Sequence, residues 1–506
     1  MSRIIVGPFN RVEGDLEVQL EVADEQVQSA WVNATLFRGF EQMLQGRSPM
    51  DALVYAPRIC GICSVSQSVA AALALQQIYD LTPTPNGQTA INLMLANENA
   101  ADLLTHFYLF FMPDYARNIY QHQPWHSEMV RRFKAMQGEH AAKAVEARSH
   151  WLKMMGTLAG HWPHTLAIQP GGSSRAIEPA ETLQLLCHAQ KLRHFLQEVL
   201  LQDTLENILN IEDESQLKQW HQQHPNSDLG LFLTAVQTLN QQTLGEVAVP
   251  LMSFGSFPLA NTPHTRHFPS GIVRLTDTCL QTQPLNPNQI SEDVFAAKYS
   301  EKYSNSAEFS QNPQSRYIQS PWEVASMPQL DKPQAYSWCK APRLKGEVMQ
   351  TGAIARQILA EQPLIHALVQ RYGSTVYTRM MARMIELMTL VTLTEKWLQQ
   401  GFEPKMPFIA PHQTIQNSRG VGLIEAARGS LGHWITIKNN HIHSYQVIAP
   451  TTWNFSPRDH LGQAGALEQA LAGTPILQHN GQLETNPINV QHIVRSFDPC
   501  MVCTVH

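Results

Sequence analysis

Residues 2–35 alternate apolar and polar types in places, as in Leu16-Glu17-Val18-Gln19-Leu20-Glu21-Val22. Side chains two apart share one face of a strand, so this stretch predicts half-buried strands, an antiparallel pair turning near residues 23–26. From about residue 88 the period lengthens to a helical one. Asn92, Leu95, Asn99, Asp102, His106 and Phe110 share a face of a helix that stops near Pro113. Further helices are expected at about 139–158 and at about 180–209. The second carries Leu185, Leu192, Phe195, Leu196, Val199 and Leu200 on its apolar side. A last one spans about 374–400 and is rich in Met, Leu and Val. Helices this long and apolar pack on each other as a bundle. Residues 246–345 hold many Pro, Ser, Asn and Gln and no sustained period, and read as irregular surface with short strands. Residues 434–448 read as a hairpin turning at Asn439-Asn440. The expected fold is mainly α with additional β (α+β), a central helix bundle flanked by a smaller β-containing region. The chain reads as one intertwined unit of four stretches, 1–87, 88–245, 246–345 and 346–506, without repeat, low-complexity tract or long linker.

With 506 residues, 43% of them hydrophobic, the chain has ample material for a large core. A formal net charge of −6 gives nothing built to grip a polyanion, so nucleic acid is not an expected partner. No run of about 18 uncharged apolar residues occurs. Residues 380–397 come nearest, but Arg383, Glu386, Glu395 and Lys396 interrupt them. The N-terminus is too short and too quickly polar for a signal peptide. A cytoplasmic protein without a membrane crossing of its own is expected, any membrane association arising through partners.

Of seven cysteines, four form two Cys-x-x-Cys pairs, Cys60/Cys63 and Cys500/Cys503. Cys187, Cys279 and Cys339 stand alone and read as small buried hydrophobes. Each pair can offer two thiolates to one metal, and a Cys₄ set favours soft or borderline metals: zinc, iron–sulfur, nickel or copper(I). More than 430 residues separate the pairs, which argues against a small zinc module. A thioredoxin-type pair needs one motif in a small α/β domain, a context absent here. Spacing alone leaves two readings open: a shared metal site, or one structural pair and one incidental one.

The flanking residues discriminate. Arg58-Ile59-Cys60-Gly61-Ile62-Cys63 and Asp498-Pro499-Cys500-Met501-Val502-Cys503-Thr504-Val505-His506 resemble the two hallmark motifs of nickel–iron hydrogenase large subunits. Arg11-Val12-Glu13-Gly14, Leu36-Phe37-Arg38-Gly39-Phe40-Glu41, the block 336–343, Glu425-Ala426-Ala427-Arg428-Gly429-Ser430-Leu431-Gly432-His433-Trp434 and Pro450-Thr451-Thr452-Trp453-Asn454 are similar to five more blocks in family order.

The resemblance implies a Ni–Fe centre whose iron carries carbon monoxide and cyanide. Cys60 and Cys500 would bind nickel terminally, and Cys63 and Cys503 would bridge the two metals. Arg428, Pro450 and Thr451 match positions around the diatomic ligands, with Arg428 also a candidate base. Glu13 matches a proton-relay carboxylate, and Asp102 and Asp498 match acidic residues near the site. Taken alone, Arg428 reads as a surface salt bridge, Glu13 as a solvated turn residue and Asp102 as part of a polar helix face. Glu41, the main chain of Val447 and His506 match a site for magnesium, or iron. The implied reaction is heterolytic cleavage of H₂ to protons and electrons. No cluster spacing remains among the other cysteines, so iron–sulfur clusters are expected in a small-subunit partner, as a heterodimer or a dimer of heterodimers.

Three positions depart from the family pattern. Gln67 and Asp15 stand where most members have His, and Ala427-Arg428 where most have Pro-Arg. Gln67 and its neighbours resemble the hydrogen-sensing branch, which signals to a histidine kinase, and its cytoplasmic uptake relatives. Family precursors also usually carry an extension, removed after the residue matching His506. Gln, unlike His, takes up no proton near neutral pH. A third possibility is a metal-free scaffold subunit of a respiratory complex, which the survival of all four cysteines disfavours.

Overall fold

A computed structural model describes the chain except residues 1, 260–261, 277–278, 302–312, 412–416, 477, 480–481 and 485. Three antiparallel strands open it: β1 (Ser2–Val6), β2 (Leu16–Ala23) and β3 (Gln26–Ala34), in that order. The expected pair is β2–β3. Asp24 and Glu25 turn it, both with left-handed φ (51° and 59°), the two-residue geometry that matches strand twist. The expectation missed β1, whose side chains are mostly exposed and show no clean alternation. Leu16, Val18, Leu20 and Val22 are buried, as their period requires.

The bundle consists of α2 (Pro85–Thr105), α3 (Glu139–Ala159), α4 (Pro179–Phe195) and α5 (Val376–Gln400). α2 packs on α3 and α5, and α4 closes the ring against the same two. α1 (Ser64–Ile78) lies beside α2 and is buried nearly all round. Each fully buried Leu, Ile or Met side chain of α5 contributes roughly 1.5–3 kcal/mol.

Two helices end earlier than their period suggests. α2 passes at His106–Phe111 into a wider π-turn. One extra residue per turn rotates the following side chains, so Phe111 is buried and Phe110 is only partly so. α4 gives way to a π-turn at Leu196–Leu201, Gln202 adopts a left-handed φ of 54°, and a separate short helix follows at Leu205–Leu209. The apolar period of 180–209 runs through this break because neither Gly nor Pro marks it.

The segment 246–345 is more ordered and more buried than expected where it is described; residues 260–261, 277–278 and 302–312 of it lie outside the described residues. Leu251–Ser253, Gly271–Leu275 and Leu280–Gln283 join Gln350–Thr351 in one sheet, and Ile290–Asp293 pairs with Ile318–Gln319 and Ala341–Leu344 in another. The expected hairpin belongs to a three-stranded antiparallel sheet, β4 (Ser418–Ala426), β5 (Gly429–Lys438) and β6 (His441–Ile448), and turns at Asn439 and Asn440.

β4 lies directly on α1. A Cβ at Gly422 would sit 1.8 Å from the Ala70 carbonyl oxygen, so only glycine permits this approach. The chain closes with α6 (Ile488–Ser496) and the single turn α7 (Met501–Thr504). Among the described residues, no helix is long and apolar enough to cross a membrane.

Candidate metal centre

Cys60 lies in the loop before α1, and Cys63 is the residue at its N-cap. No side chain of α1 itself caps that end. Instead Glu98 reaches across from α2 and accepts from the Val65 and Ser66 amides (2.7 and 2.9 Å), the Ser66 hydroxyl (3.0 Å) and Trp162 Nε1 (3.0 Å). A carboxylate there satisfies orphan N–H groups and faces the positive end of the helix.

The C-terminal pair reaches the same place through several clasps. Glu13 and Cys500 form a parallel β-bridge, with the Met501 amide donating to the Glu13 carbonyl at 2.7 Å. Gly14 has a φ of +81°, and a Cβ there would press on Val502 at 3.0 Å. The guanidinium of Arg38 donates to the carbonyls of Ile59, Arg58 and Val502, joining both cysteine loops, and its own amide donates to Val505 O at 3.0 Å. From α5, Arg383 donates to Ser496 O, and Arg379 lies over the Phe497 ring.

The four sulfurs converge. Cys60 and Cys500 Sγ lie 3.5 Å apart, Cys63 and Cys503 3.2 Å, and all four fall within 4.8 Å of one another. All are buried and none is in a disulfide. Among the described residues this tetrad is the one cluster of three or more His, Cys, Asp or Glu ligand groups close enough to hold a metal. Thiol hydrogen bonds from Cys500, Cys503 and Cys63, with Arg428 nearby, hold Cys60 well below the usual thiol range. Hydrogen bonding to its neighbours pushes Cys63 up, and burial pushes up Cys500 and Cys503. Such a cage favours one thiolate by itself, and a soft cation would deprotonate the rest.

Arg428 stands over the tetrad. Its Nη1 is 2.7 Å from Asp102 Oδ2, and its Nη2 lies 3.0 Å from Asp102 Oδ1 and 3.2 Å from Asp498 Oδ1. It is buried, so the surface salt bridge its neighbours suggested is ruled out. Burial raises Asp102 to about 7 against the pull of Arg428. Burial also works to raise Asp498, but Arg428, His106 and Arg383 outweigh it and hold that carboxyl below its usual range. Behind Arg428, the buried Arg356 pairs with Glu386 and Glu425 and donates to the carbonyls of Ala426 and Ala427, fixing the preceding backbone. Gly429 follows at φ +135°, where a Cβ would meet Thr351 Oγ1 at 2.3 Å. Among the described residues the buried Nε–H of Arg428 finds no acceptor.

Pro450 and Thr451 begin a short helix beside the second pair, and the Thr451 hydroxyl accepts from the Cys500 amide at 3.0 Å. Glu13 is partly buried. Burial, reinforced by Cys60, raises its carboxyl above the ordinary range while Arg428 and Arg38 pull it down. Gln67, one turn into α1, points its amide Nε2 at Cys503 Sγ, 3.8 Å away. Asp15 is exposed.

Glu41 and His506 meet at 3.2 Å, and Val447 joins them through its N–H, which donates to Glu41 at 3.0 Å. Lys340, whose block was recognised but given no role, donates to Glu41, Glu292 and Gln446. Burial opposes ionisation of Glu41, yet Lys340 and His506 bring it to about 2. Glu292 Oε1 remains buried without a donor, an acceptor suited to a hard cation or its water. Of the lone cysteines, Cys339 is buried as expected, but Cys187 and Cys279 are exposed.

A family model for nickel-dependent hydrogenases matches residues 38–123 and 115–506. The chain belongs to the nickel-dependent hydrogenase family. As a member it is an oxidoreductase of the hydrogenase class. It is similar to the periplasmic [NiFeSe] hydrogenase large subunit of Desulfomicrobium baculatum, 27% identical with 100% of this chain and 95% of the relative covered. It is also similar to the hydrogenase-2 large chain of Escherichia coli (strain K12), 24% identical with 100% and 97% covered. A solved structure of the Dm. baculatum [NiFeSe] hydrogenase superposes with a TM-score of 0.83 at 25% identity, covering both chains fully. That likeness accounts for the helix bundle and flanking sheets. The four-sulfur cage supports a nickel–iron centre as its occupant.

Proposed function

We propose that this chain is the catalytic large subunit of an uptake nickel–iron hydrogenase, oxidising H₂ heterolytically to protons and electrons. The single observation that carries this reading is the buried tetrad within 4.8 Å, assembled from opposite ends of the chain under one fixed guanidinium. In this reading Cys60, Cys63, Cys500 and Cys503 would together hold a nickel–iron pair, whose iron would carry carbon monoxide and cyanide. Bound there, the metal pair supplies the site that polarises H₂ and accepts its electrons.

The chain's own residues do the rest. Asp102 and Asp498 hold the two Nη groups of Arg428 and so fix the guanidinium, which in this reading would serve as base at the metal pair and as a donor to the iron's diatomic ligands. Pro450 and Thr451 line the same pocket. Glu13, with its carboxyl raised above the ordinary range by burial and its backbone tied to Cys500, would receive the proton and pass it outward. Glu41, His506 and the main chain at Val447 would hold magnesium, or iron, which would add to the contacts that anchor the tail.

Electrons leave to an iron–sulfur small subunit, giving a heterodimer or a dimer of heterodimers. Leu36, Met43, Val54 and Leu166 are exposed apolar side chains, and their segments adjoin the first cysteine loop. They supply a face on which such a partner docks. A cytoplasmic location belongs to this reading, and cell fractionation tests it against the periplasmic one for which the Dm. baculatum relative is named.

Gln67 favours one second reading, a hydrogen sensor of low turnover that signals to a histidine kinase. An amide beside Cys503 cannot exchange a proton near neutral pH. A sustained H₂ oxidation rate excludes the sensor, and a rate near zero with full metal loading excludes the uptake enzyme. For the shared core of both readings, mass spectrometry of the isolated chain should find one nickel with at least one iron, and Cys503→Ser should lose the nickel and one iron. Zinc alone in the unmutated chain would refute it.

A further inference from the structure

Beside the tetrad, three buried side chains form a chain that ends on a sulfur. The Gln67 amide nitrogen points at Cys503 Sγ (3.8 Å). Its Oε1 lies 2.7 Å from Nε2 of His433 on β5. Nδ1 of His433 lies 2.7 Å from the hydroxyl of Tyr445 on β6. Gln67, His433 and Tyr445 are each 0% exposed, so no bulk water competes for these bonds.

The polarity of the chain is determined from its outer end. Among the described residues the Tyr445 hydroxyl has no other partner, so its O–H donates to Nδ1, which then carries no hydrogen of its own. A neutral imidazole then carries its hydrogen on Nε2, where it donates to the Gln67 oxygen. His433 is fully buried and its ring nitrogens face only an uncharged hydroxyl and an uncharged amide oxygen, so the ring is neutral and the tautomer is the only variable left. With its oxygen claimed by His433, the Gln67 amide turns its NH₂ toward Cys503. An amide flip changes hardly any shape, so packing alone would not select between the two orientations. The flipped amide would aim oxygen lone pairs at sulfur.

We propose that His433 and Tyr445 are positioning residues for the metal centre: they lock the Gln67 amide in the orientation that donates N–H to the Cys503 sulfur. This rests on the reading that Cys503 is a metal-bound thiolate. A donated hydrogen bond draws charge from sulfur, so the lock raises the midpoint potential of the attached nickel and keeps the site in one electronic state. No proton or electron passes along the chain.

Tyr445→Phe removes one hydroxyl at nearly constant shape. With neither donor nor acceptor opposite Nδ1, the ring is no longer held in one tautomer, and the amide occupies both orientations. In the metal-loaded complex this variant should keep its nickel content and melting temperature. It should show a lower nickel midpoint potential and a shifted or doubled set of nickel EPR g-values. Gln67→Glu keeps the acceptor for His433 and removes the N–H for sulfur, and should move the potential the same way. In a Gln67→Leu background the Tyr445→Phe shift should vanish. A Tyr445→Phe complex with unchanged potential and g-values would overturn the proposal, as would a shift that persists undiminished in the Gln67→Leu background. Absence of nickel from the unmutated complex would overturn the metal reading itself, and the lock with it.

Discussion

Arg38 is the side chain that ties the two cysteine loops to each other, so its loss should free the tail before it disturbs the bundle. Its guanidinium donates to Ile59 O and Arg58 O in the first loop and to Val502 O in the second, and it stacks on Phe40 with a ring-centroid distance of 4.8 Å. Charge-assisted hydrogen bonds of this kind contribute about 1.5–3 kcal/mol each when buried. Arg38 is only partly buried, so solvent screening reduces each to about 1 kcal/mol. The stacking adds roughly 0.5 kcal/mol. Arg38→Met should therefore cost about 3 kcal/mol, most of it in opening the segment that carries Cys500 and Cys503. That corresponds to a rise of roughly a hundredfold in the open population, since 1.4 kcal/mol is about tenfold. Transfer of nickel to a chelator should accelerate by a similar factor, while global melting shifts little. Arg38→Lys keeps the charge but reaches one loop at a time, and should fall between. Release within about twofold of the unmutated rate would show that the clasp is not what retains the tail.

Arg428→Met leaves the buried carboxyls of Asp102 and Asp498 without their shared cation. Breaking a buried pair from one side costs about 3–5 kcal/mol, so a urea midpoint close to the parent's would contradict the geometry. Arg428→Lys should recover part of that stability without the H₂ oxidation rate, because an ammonium has no planar fork; full recovery of the rate would show that the fork is not required. His492 is buried against the Tyr120 hydroxyl, and burial lowers it to about 4. Its folded form stays neutral where the unfolded chain takes up a proton, so its contribution is complete above pH 6.5 and is lost as pH falls toward 4. Relative to His492→Gln, the parent's stability should fall by about 2 kcal/mol between pH 7 and pH 5, read from paired urea titrations. A difference independent of pH would mean that the imidazole is not held neutral.

The parts of this molecule legible in the sequence are those whose signal is local. Strand alternation placed β2 and β3, the helical period placed α2, α3 and α5, and two Cys-x-x-Cys motifs gave the sulfurs. Local signals failed where the backbone departs from its ideal period. The π-turn after Phe195 adds a residue without a Gly or Pro to announce it. The one cue was Thr204, whose hydroxyl caps the short helix after it. Functional side chains were missed for a different reason. Glu98 is a polar residue within a helix until its partners, more than 30 positions earlier, are known. His433 was visible within a recognised block, but its partner Gln67 lies 366 residues away. Arg38 and Lys340 were likewise inside recognised blocks without a role, because each acts by joining segments that spacing cannot connect.

That long-range joining bears on how the cage forms. Cys60 and Cys500 are 440 residues apart, and closing a flexible loop of that length costs about 5 kcal/mol in chain entropy. The protein offsets this without using the sulfurs. Arg495 pairs with buried Asp114 at 2.6 Å, Arg383 holds Ser496 O at 2.6 Å, and Arg379 covers Phe497 at 4.0 Å, all just ahead of Cys500. Arg38 and the Glu13 bridge then act on the cysteine segment itself. Buried charge-assisted contacts of about 1.5–3 kcal/mol each, several in number, exceed the closure cost. Protein contacts alone therefore suffice to gather the four thiols. Metal affinity is left to deprotonate the thiols and fix the electronic state rather than to fold the tail, so substitutions at Arg379, Arg383 or Arg495 should weaken nickel retention even though none of the three touches a sulfur.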